Sequence, residues 1–246
     1  MKRISGWSDW HIHPFTFVYL FFACINRTFV EYIAALAIVC FHEFFHYAWA
    51  KHYKFDITGV QVLPFGAFLN LSDFGLHHII EELIVIVAGL SSHLFLYCMI
   101  VLSGSDPYLL AVNRLVLLFN ILPIYPLDGS KIFLLLTSLI LPYKKAIQLQ
   151  IKVSILSLSI LIFHIMEISY IVIYGYLIYC NYQYIKEYRY LLARLYTNRC
   201  YQTMYKRIKV NHSYVLYRPY QNVYLINQNI LQEKEVVEKL IEKLYD

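Results

Sequence analysis

Charge is scarce in this chain. Only 15% of its 246 residues are Asp, Glu, Lys or Arg while 59% are apolar, a balance that excludes an average soluble domain and indicates an integral membrane protein. Paired cysteines are missing as well: Cys24, Cys40, Cys98, Cys180 and Cys200 form no C-x-x-C pattern and mostly lie in apolar stretches. They read as reduced core residues, which sets aside disulfide staples and thiolate ligands. The opening MKRISGWSDWHIHPF lacks a small-residue cleavage site after its apolar run, so the first hydrophobic segment is expected to stay. The formal net charge of +5 follows membrane topology and gives a nucleic-acid partner no separate support.

What is present is apolar length. Allowing about 20 residues per crossing helix, membrane segments fall near 14–26, 30–50, 79–102, 108–141 (long and interrupted), 152–167 and 169–185. The last two form an apolar hairpin with Glu167 and Ser169 at its turn, readable as two crossings or as one. Positive loops stay in the cytoplasm. Six crossings put Lys2 and Arg3, Lys51 and Lys54, Lys144, Lys145 and Lys152, and the tail from Lys186 on that side, leaving only Arg27 in an outside loop. The tail alone holds 11 of the 21 basic residues. The expected fold class is an all-α polytopic membrane protein, with about six transmembrane helices over residues 1–185 and a small cytoplasmic tail over 186–246.

Chemistry concentrates in His42-Glu43-Phe44-Phe45-His46, inside the apolar stretch from Tyr32 to Trp49. On a helix, residues four apart share a face, so His42 and His46 can aim imidazole nitrogens at one Zn2+ while Glu43, one step around, reaches a water there as general base. Such groups near mid-bilayer each cost a few kcal/mol, which points to function; the alternative is a polar contact between scaffold helices. A catalytic zinc usually has three protein ligands and one open position, and Asp128 is the candidate third. It follows Asn120, Pro123 and Pro126 and precedes Gly129 in a broken apolar run. Broken backbone at membrane depth survives only where protein buries it or where it lines a wet cavity. Asp128 has a second reading, as a helix N-cap after Pro126, although a carboxylate amid so little charge favours a cation partner.

H-E-x-x-H in one membrane segment, followed by N-x-x-P-x-x-P-L-D-G in a later one, resembles the site-2 protease family of intramembrane zinc metalloproteases. His13-Pro14-Phe15, Leu63-Pro64-Phe65-Gly66, Val87-Ala88-Gly89 and the run from Asn120 to Lys131 resemble, in the same order, the sporulation branch of that family. The resemblance implies a site-2-protease-type core in which His42, His46 and Asp128 bind zinc, the single cofactor, and Glu43 is the catalytic base. Asn120 would contact the substrate backbone or the oxyanion, with an interhelix hydrogen bond as the other use of its amide. Leu63 to Leu71 resembles the family's membrane-dipping loop, whose edge can pair with an extended substrate strand. Phe65 and Gly66 there, and Pro126 beside Asp128, are the remaining substrate-binding candidates.

Departures are visible too. Phe45 stands where the family often has glycine, and a bulky ring there is expected to change close helix packing. Leu90 follows Gly89 where proline is common, Ser130 replaces a usual second glycine, and Ser92 or His93 stands near a position often held by an amide. His93 reads as a hydrogen-bonded core residue or as a gating group.

After Tyr184 the chain turns basic and polar. Ile185 to Arg194 has helical spacing, Val223 to Asn227 alternates like a strand, and Glu233 to Tyr245 carries an apolar side of Val236, Val237, Leu240, Ile241 and Leu244. Relatives carry a cystathionine-beta-synthase-type domain here, but about 60 residues are too few for a complete one. A cut-down version, a substrate-docking element and a membrane-surface contact all stand as readings. The resemblance implies regulated intramembrane proteolysis of a membrane-associated sigma factor precursor, that of sporulation sigma K. It also implies membrane-bound inhibitor proteins, a mother-cell or forespore membrane location, and no direct nucleic-acid contact. The rivals are a site-2 protease of another branch, cutting an anti-sigma factor or a signal-peptide remnant, and a non-enzymatic membrane scaffold or transporter. The missing PDZ-like insert weighs against the branch that trims periplasmically cleaved substrates.

Overall fold

The structure, a computed structural model, describes residues 10–12, 14–63, 66–164, 171–201, 207–226 and 228–245. Helices dominate, as expected, but two three-stranded sheets, ordered β1-β2-β3 and β4-β5-β6, correct the all-α expectation. Packing divides the chain into two compact units.

The first unit covers residues 1–74 and 83–121. It holds β1 (Trp10–Ile12), α1 (Pro14–Ile25), α2 (Phe29–His52), β2 (Ile57–Leu63), β3 (Gly66–Leu71), all but the first turn of α3 (Ile79–Leu102), and α4 (Pro107–Ile121). α2 has 24 residues, about 36 Å at 1.5 Å each, enough to cross a hydrocarbon core of about 30 Å. Lys51 and His52 in its last turn face the negative end of the helix dipole, and Lys54, in the left-handed region at φ 60°, turns the chain back toward β2. The run Ile57-Thr-Gly-Val-Gln-Val-Leu63 suits the two-residue period of a strand, and Gly66–Leu71, within the segment that resembles a membrane-dipping loop, is the strand β3. β2 pairs antiparallel with β3, from Ile57↔Leu71 to Leu63↔Gly66, and parallel with β1, so β3 is an outer strand. Ala50, Phe55 and Val85, with Ile57, Leu69 and Leu71 against them, fasten this hairpin to α2 and α3. On the far side of α3, Leu94, Met99 and Leu102 are exposed, as the lipid side of a spanning helix should be.

The second unit covers residues 75–82 and 122–246: α5 (Asp128–Ile140), α6 (Tyr143–His164), α7 (Ile171–Tyr201), β4 (Ile208–Asn211), β5 (Gln221–Ile226), β6 (Asn229–Gln232) and α8 (Glu233–Tyr245). The backbone freed by the break before α5 is bonded by its neighbours. Ser154 accepts the Tyr125 N–H at 2.8 Å, Asn181 donates to the Tyr125 carbonyl at 2.8 Å, and Ser154 donates to Asn181 Oδ1 at 2.6 Å. Protein thus supplies what lipid cannot.

Several sequence boundaries move. Only three helices are long and apolar enough to cross a membrane among the described residues: Phe29–His52, Ile79–Leu102 and Tyr143–Phe163; Pro107–Ile121 is a shorter apolar helix. The expected segment at 108–141 is two helices, α4 and α5. α6 begins well before the expected 152 because Pro142 stops α5 and its carbonyl accepts the Ala146 N–H at 3.0 Å. Lys144, Lys145 and Lys152, expected in a loop, therefore lie on α6. α7 runs unbroken for 31 residues, joining the expected last crossing to the first part of the tail, because its helical period continues after its polarity changes. Glu167 and Ser169, the expected turn, lie outside the described residues. All five cysteines are free, and Cys24 and Cys98 are exposed on helix surfaces rather than buried in a core. The final helix falls where the pattern placed it, and the tail strand, expected over 223–227, spans Gln221–Ile226, with Asn227 outside the described residues.

A hydrophobic cluster that includes Leu134, Tyr143, Ile147, Leu192, Leu216 and Val237 ties α5, α6, α7 and α8 together. Into this unit is set an ion pair at 2.5 Å between Arg218 and Glu82, whose side chains are 1% and 0% exposed. Glu82 also accepts from the Gly75 N–H at 2.8 Å and the His77 N–H at 3.2 Å, and Arg218 donates to the His77 carbonyl at 2.9 Å. Gly75 sits at φ +95°, a conformation that favours glycine.

Candidate metal centre

His42, Glu43 and His46 are all buried on α2. The Nε2 atoms of the two imidazoles lie 3.0 Å apart. His46 Nδ1 lies 2.8 Å from the Val85 carbonyl of α3; a carbonyl only accepts, so Nδ1 carries the proton and Nε2 carries the lone pair. That outer hydrogen bond is the usual means of orienting a metal-binding imidazole. Two nitrogens at about 2.0–2.1 Å from a tetrahedral zinc would be roughly 3.3 Å apart. The observed spacing fits after a shift of a few tenths of an ångström.

Gly89 explains how α3 comes so close. A Cβ there would overlap the His46 ring, so the position admits no side chain unless the imidazole moves. Phe45, expected to change close packing, lies among other rings, 5.0 Å from Phe41 and 6.3 Å from Phe95. Close approach is supplied by glycine on the partner helix instead of on α2.

Glu43 Oε2 accepts the Leu69 N–H at 2.9 Å. Because β3 is the outer strand, the carboxylate sits against the edge where an extended chain could add.

In the second unit, Asp128 is the first residue of α5 and is buried. The cap position is Leu127, in extended backbone, so the N-cap reading is corrected: Asp128 already has helical geometry. Its cation partner is Lys131, at 3.2 Å. An ionised carboxylate has two oxygens and about four lone-pair sites, so this pair leaves coordination chemically possible. Pro126, half-buried, precedes α5 by one residue and follows a cis peptide bond.

The remaining candidates differ in what is visible. Asn120 donates to the Val116 carbonyl of its own helix at 3.1 Å, instead of to another helix. Gly66 opens β3, with open space where a Cβ would stand. Phe65 lies outside the described residues. Sequence reasoning missed Val85 and Leu69 because both act through backbone atoms, which carry no residue signature. Gly89 did leave a signal, in Val87-Ala88-Gly89.

No protein-family model matches the chain. Stage IV sporulation protein FB of Bacillus subtilis (strain 168) is 31% identical to it over 153 residues, which make up 59% of this chain and 53% of that protein. The match thus spans about half the length of that relative. In fold, the chain is similar to the site-2 protease from Methanocaldococcus jannaschii, with a TM-score of 0.56 at 20% identity, over 74% of this chain and 94% of that one. The chain is thus similar in sequence to the first over part of its length and in fold to the second, and it carries the H-E-x-x-H helix and a later P-L-D-G turn.

Proposed function

We propose that this protein is an intramembrane zinc metalloprotease in which His42, His46 and Asp128 hold the metal and Glu43 is the catalytic base. The observation that carries the reading is the imidazole pair: with His46 Nδ1–H tied to Val85, its Nε2 lone pair faces His42 Nε2 at 3.0 Å. Asp128, buried at the start of α5, is assigned as the third ligand by the resemblance of its P-L-D-G turn, and two imidazoles with one carboxylate are a common catalytic zinc set. When bound, Zn2+ would polarise the scissile carbonyl and make water a stronger acid. Glu43 takes the proton from the attacking water and returns it to the departing amide nitrogen, so one carboxylate serves both halves of the reaction. Its bond to Leu69 N–H holds it in orientation between these transfers.

An extended substrate adding to β3 would present main chain to this carboxylate. Asn120, Pro126, Phe65 and Gly66 are the side chains and backbone assigned to that path. The tail beyond residue 185 is assigned to docking of substrate or membrane surface rather than to chemistry. Through kinship with a sporulation protein, the substrate is the membrane-associated precursor of sigma K. The corresponding partners are membrane-bound inhibitor proteins, and the location is a mother-cell or forespore membrane.

Co-production with that precursor, read as a size shift on a gel, is the test. Cleavage by the wild type and none by Glu43→Gln supports the full reading. Zinc bound by the purified protein with no size shift would reject this substrate while leaving the metalloprotease reading in place. A chain that binds no zinc at neutral pH would instead be a membrane scaffold.

A further inference from the structure

Against His42 lies a buried polar pair that the proposed chemistry does not use. His93 of α3 and Asn113 of α4 are 1% and 4% exposed. Asn113 clasps residue 93 at two points: Nδ2 donates to the His93 backbone carbonyl at 2.9 Å, and Oδ1 lies 2.7 Å from His93 Nδ1. The first contact sets the amide orientation, because a carbonyl only accepts. The second then requires His93 Nδ1 to be the donor, which selects one tautomer. Ring plane and protonation are therefore held together from a neighbouring helix.

That fixed ring packs on a ligand candidate. The His93 and His42 centroids are 5.0 Å apart with planes at 37°, while His46 meets His42 edge-on at 4.6 Å and 88°. Burying an amide and an imidazole costs free energy that two apolar side chains would not incur. A structural role alone gives no reason for the pair to stand beside His42.

Building on the zinc reading, we infer that His93 is a positioning residue: clasped by Asn113, its ring confines His42 to the rotamer that presents Nε2 toward His46 Nε2. A ligand held this way loses little rotamer freedom when a metal binds, so affinity rises without any added ligand. His93 acts through His42 and touches neither metal nor substrate in this scheme.

The full-length chain in detergent or nanodiscs, with Zn2+ and Co2+ as probes, provides the test. His93→Ala should weaken zinc binding roughly tenfold or more in chelator competition and shift the Co2+ absorption bands. His93→Phe, which restores a ring without the clasp, and Asn113→Ala, which frees the ring, should both fall between wild type and His93→Ala. Wild-type affinity and an unchanged Co2+ spectrum in His93→Ala would overturn the inference. So would a lowered unfolding midpoint in all three variants without spectral change. If His93→Ala fails to fold, wild-type metal binding by Asn113→Ala overturns it equally. A wild-type chain that takes up neither ion rejects the metal reading itself, which separates the two failures.

Discussion

The two units bury polar groups in opposite ways. In the second, a buried charge meets its counter-charge and a set of backbone donors: Glu82 has Arg218, Gly75 and His77, and Glu233 has Arg199 at 3.5 Å and the Asn222 N–H at 2.5 Å. Burial also raises the Tyr196 phenol to about 12, keeping that core side chain neutral. In the first, lone-pair donors converge on one another instead, with His42 Nε2 facing His46 Nε2 and the Glu43 carboxylate one residue along the same helix. Buried charge matched by opposite charge is architecture. Imidazoles and a carboxylate gathered on one buried helix face are the material of a site.

The largest effect should come from removing only the proposed proton shuttle. Glu43→Gln keeps shape and the Leu69 contact, so cleavage should fall about 10²–10⁴-fold with zinc content and unfolding midpoint unchanged. A large drop in stability would show that Glu43 is architecture after all, and would break the contrast. On the other side, Arg218→Met strands Glu82, at an expected cost of about 3–5 kcal/mol in denaturant unfolding. Adding Glu82→Leu should recover most of that loss, since the desolvated charge is then gone. A silent single variant would deny the pair its structural role.

Gly89→Ala tests the boundary between packing and site. The new methyl must displace the His46 ring, so about 1–3 kcal/mol of stability should be lost together with zinc affinity measured by chelator competition. Loss of stability alone would mean that His46 yields without disturbing a metal. The smallest expected change is Asn120→Ala, whose side chain bonds its own helix turn at the Val116 carbonyl. Stability should stay within about 0.5 kcal/mol while KM for the precursor rises. Unaltered cleavage kinetics would remove Asn120 from the substrate path.

Much of this was legible in one dimension. H-E-x-x-H carries its own geometry, because four residues of helix return the chain to the same face. α8 was placed residue for residue, since Val236, Val237, Leu240, Ile241 and Leu244 repeat at the helical period and Glu233 opens the pattern. Boundaries set by solvation were harder. α6 started early and α7 ran on through the change from apolar to basic, because hydropathy reports surroundings while hydrogen bonding decides where a helix stops. Asp128 showed the same limit: its residue type suits a cap or a ligand, and only the extended backbone at Leu127 decided that it is not the cap.

By itself, then, the order of residues determined a strongly apolar, mostly helical chain with two imidazoles and a carboxylate on one helix, since period and polarity are local properties. Tertiary structure alone decided which atoms orient them. The Val85 carbonyl sets the His46 tautomer, the Leu69 N–H holds Glu43, and the bare face of Gly89 lets α3 approach, all from residues 20 or more positions away. Those are backbone groups and an absent side chain, and their direction exists only once the chain has folded.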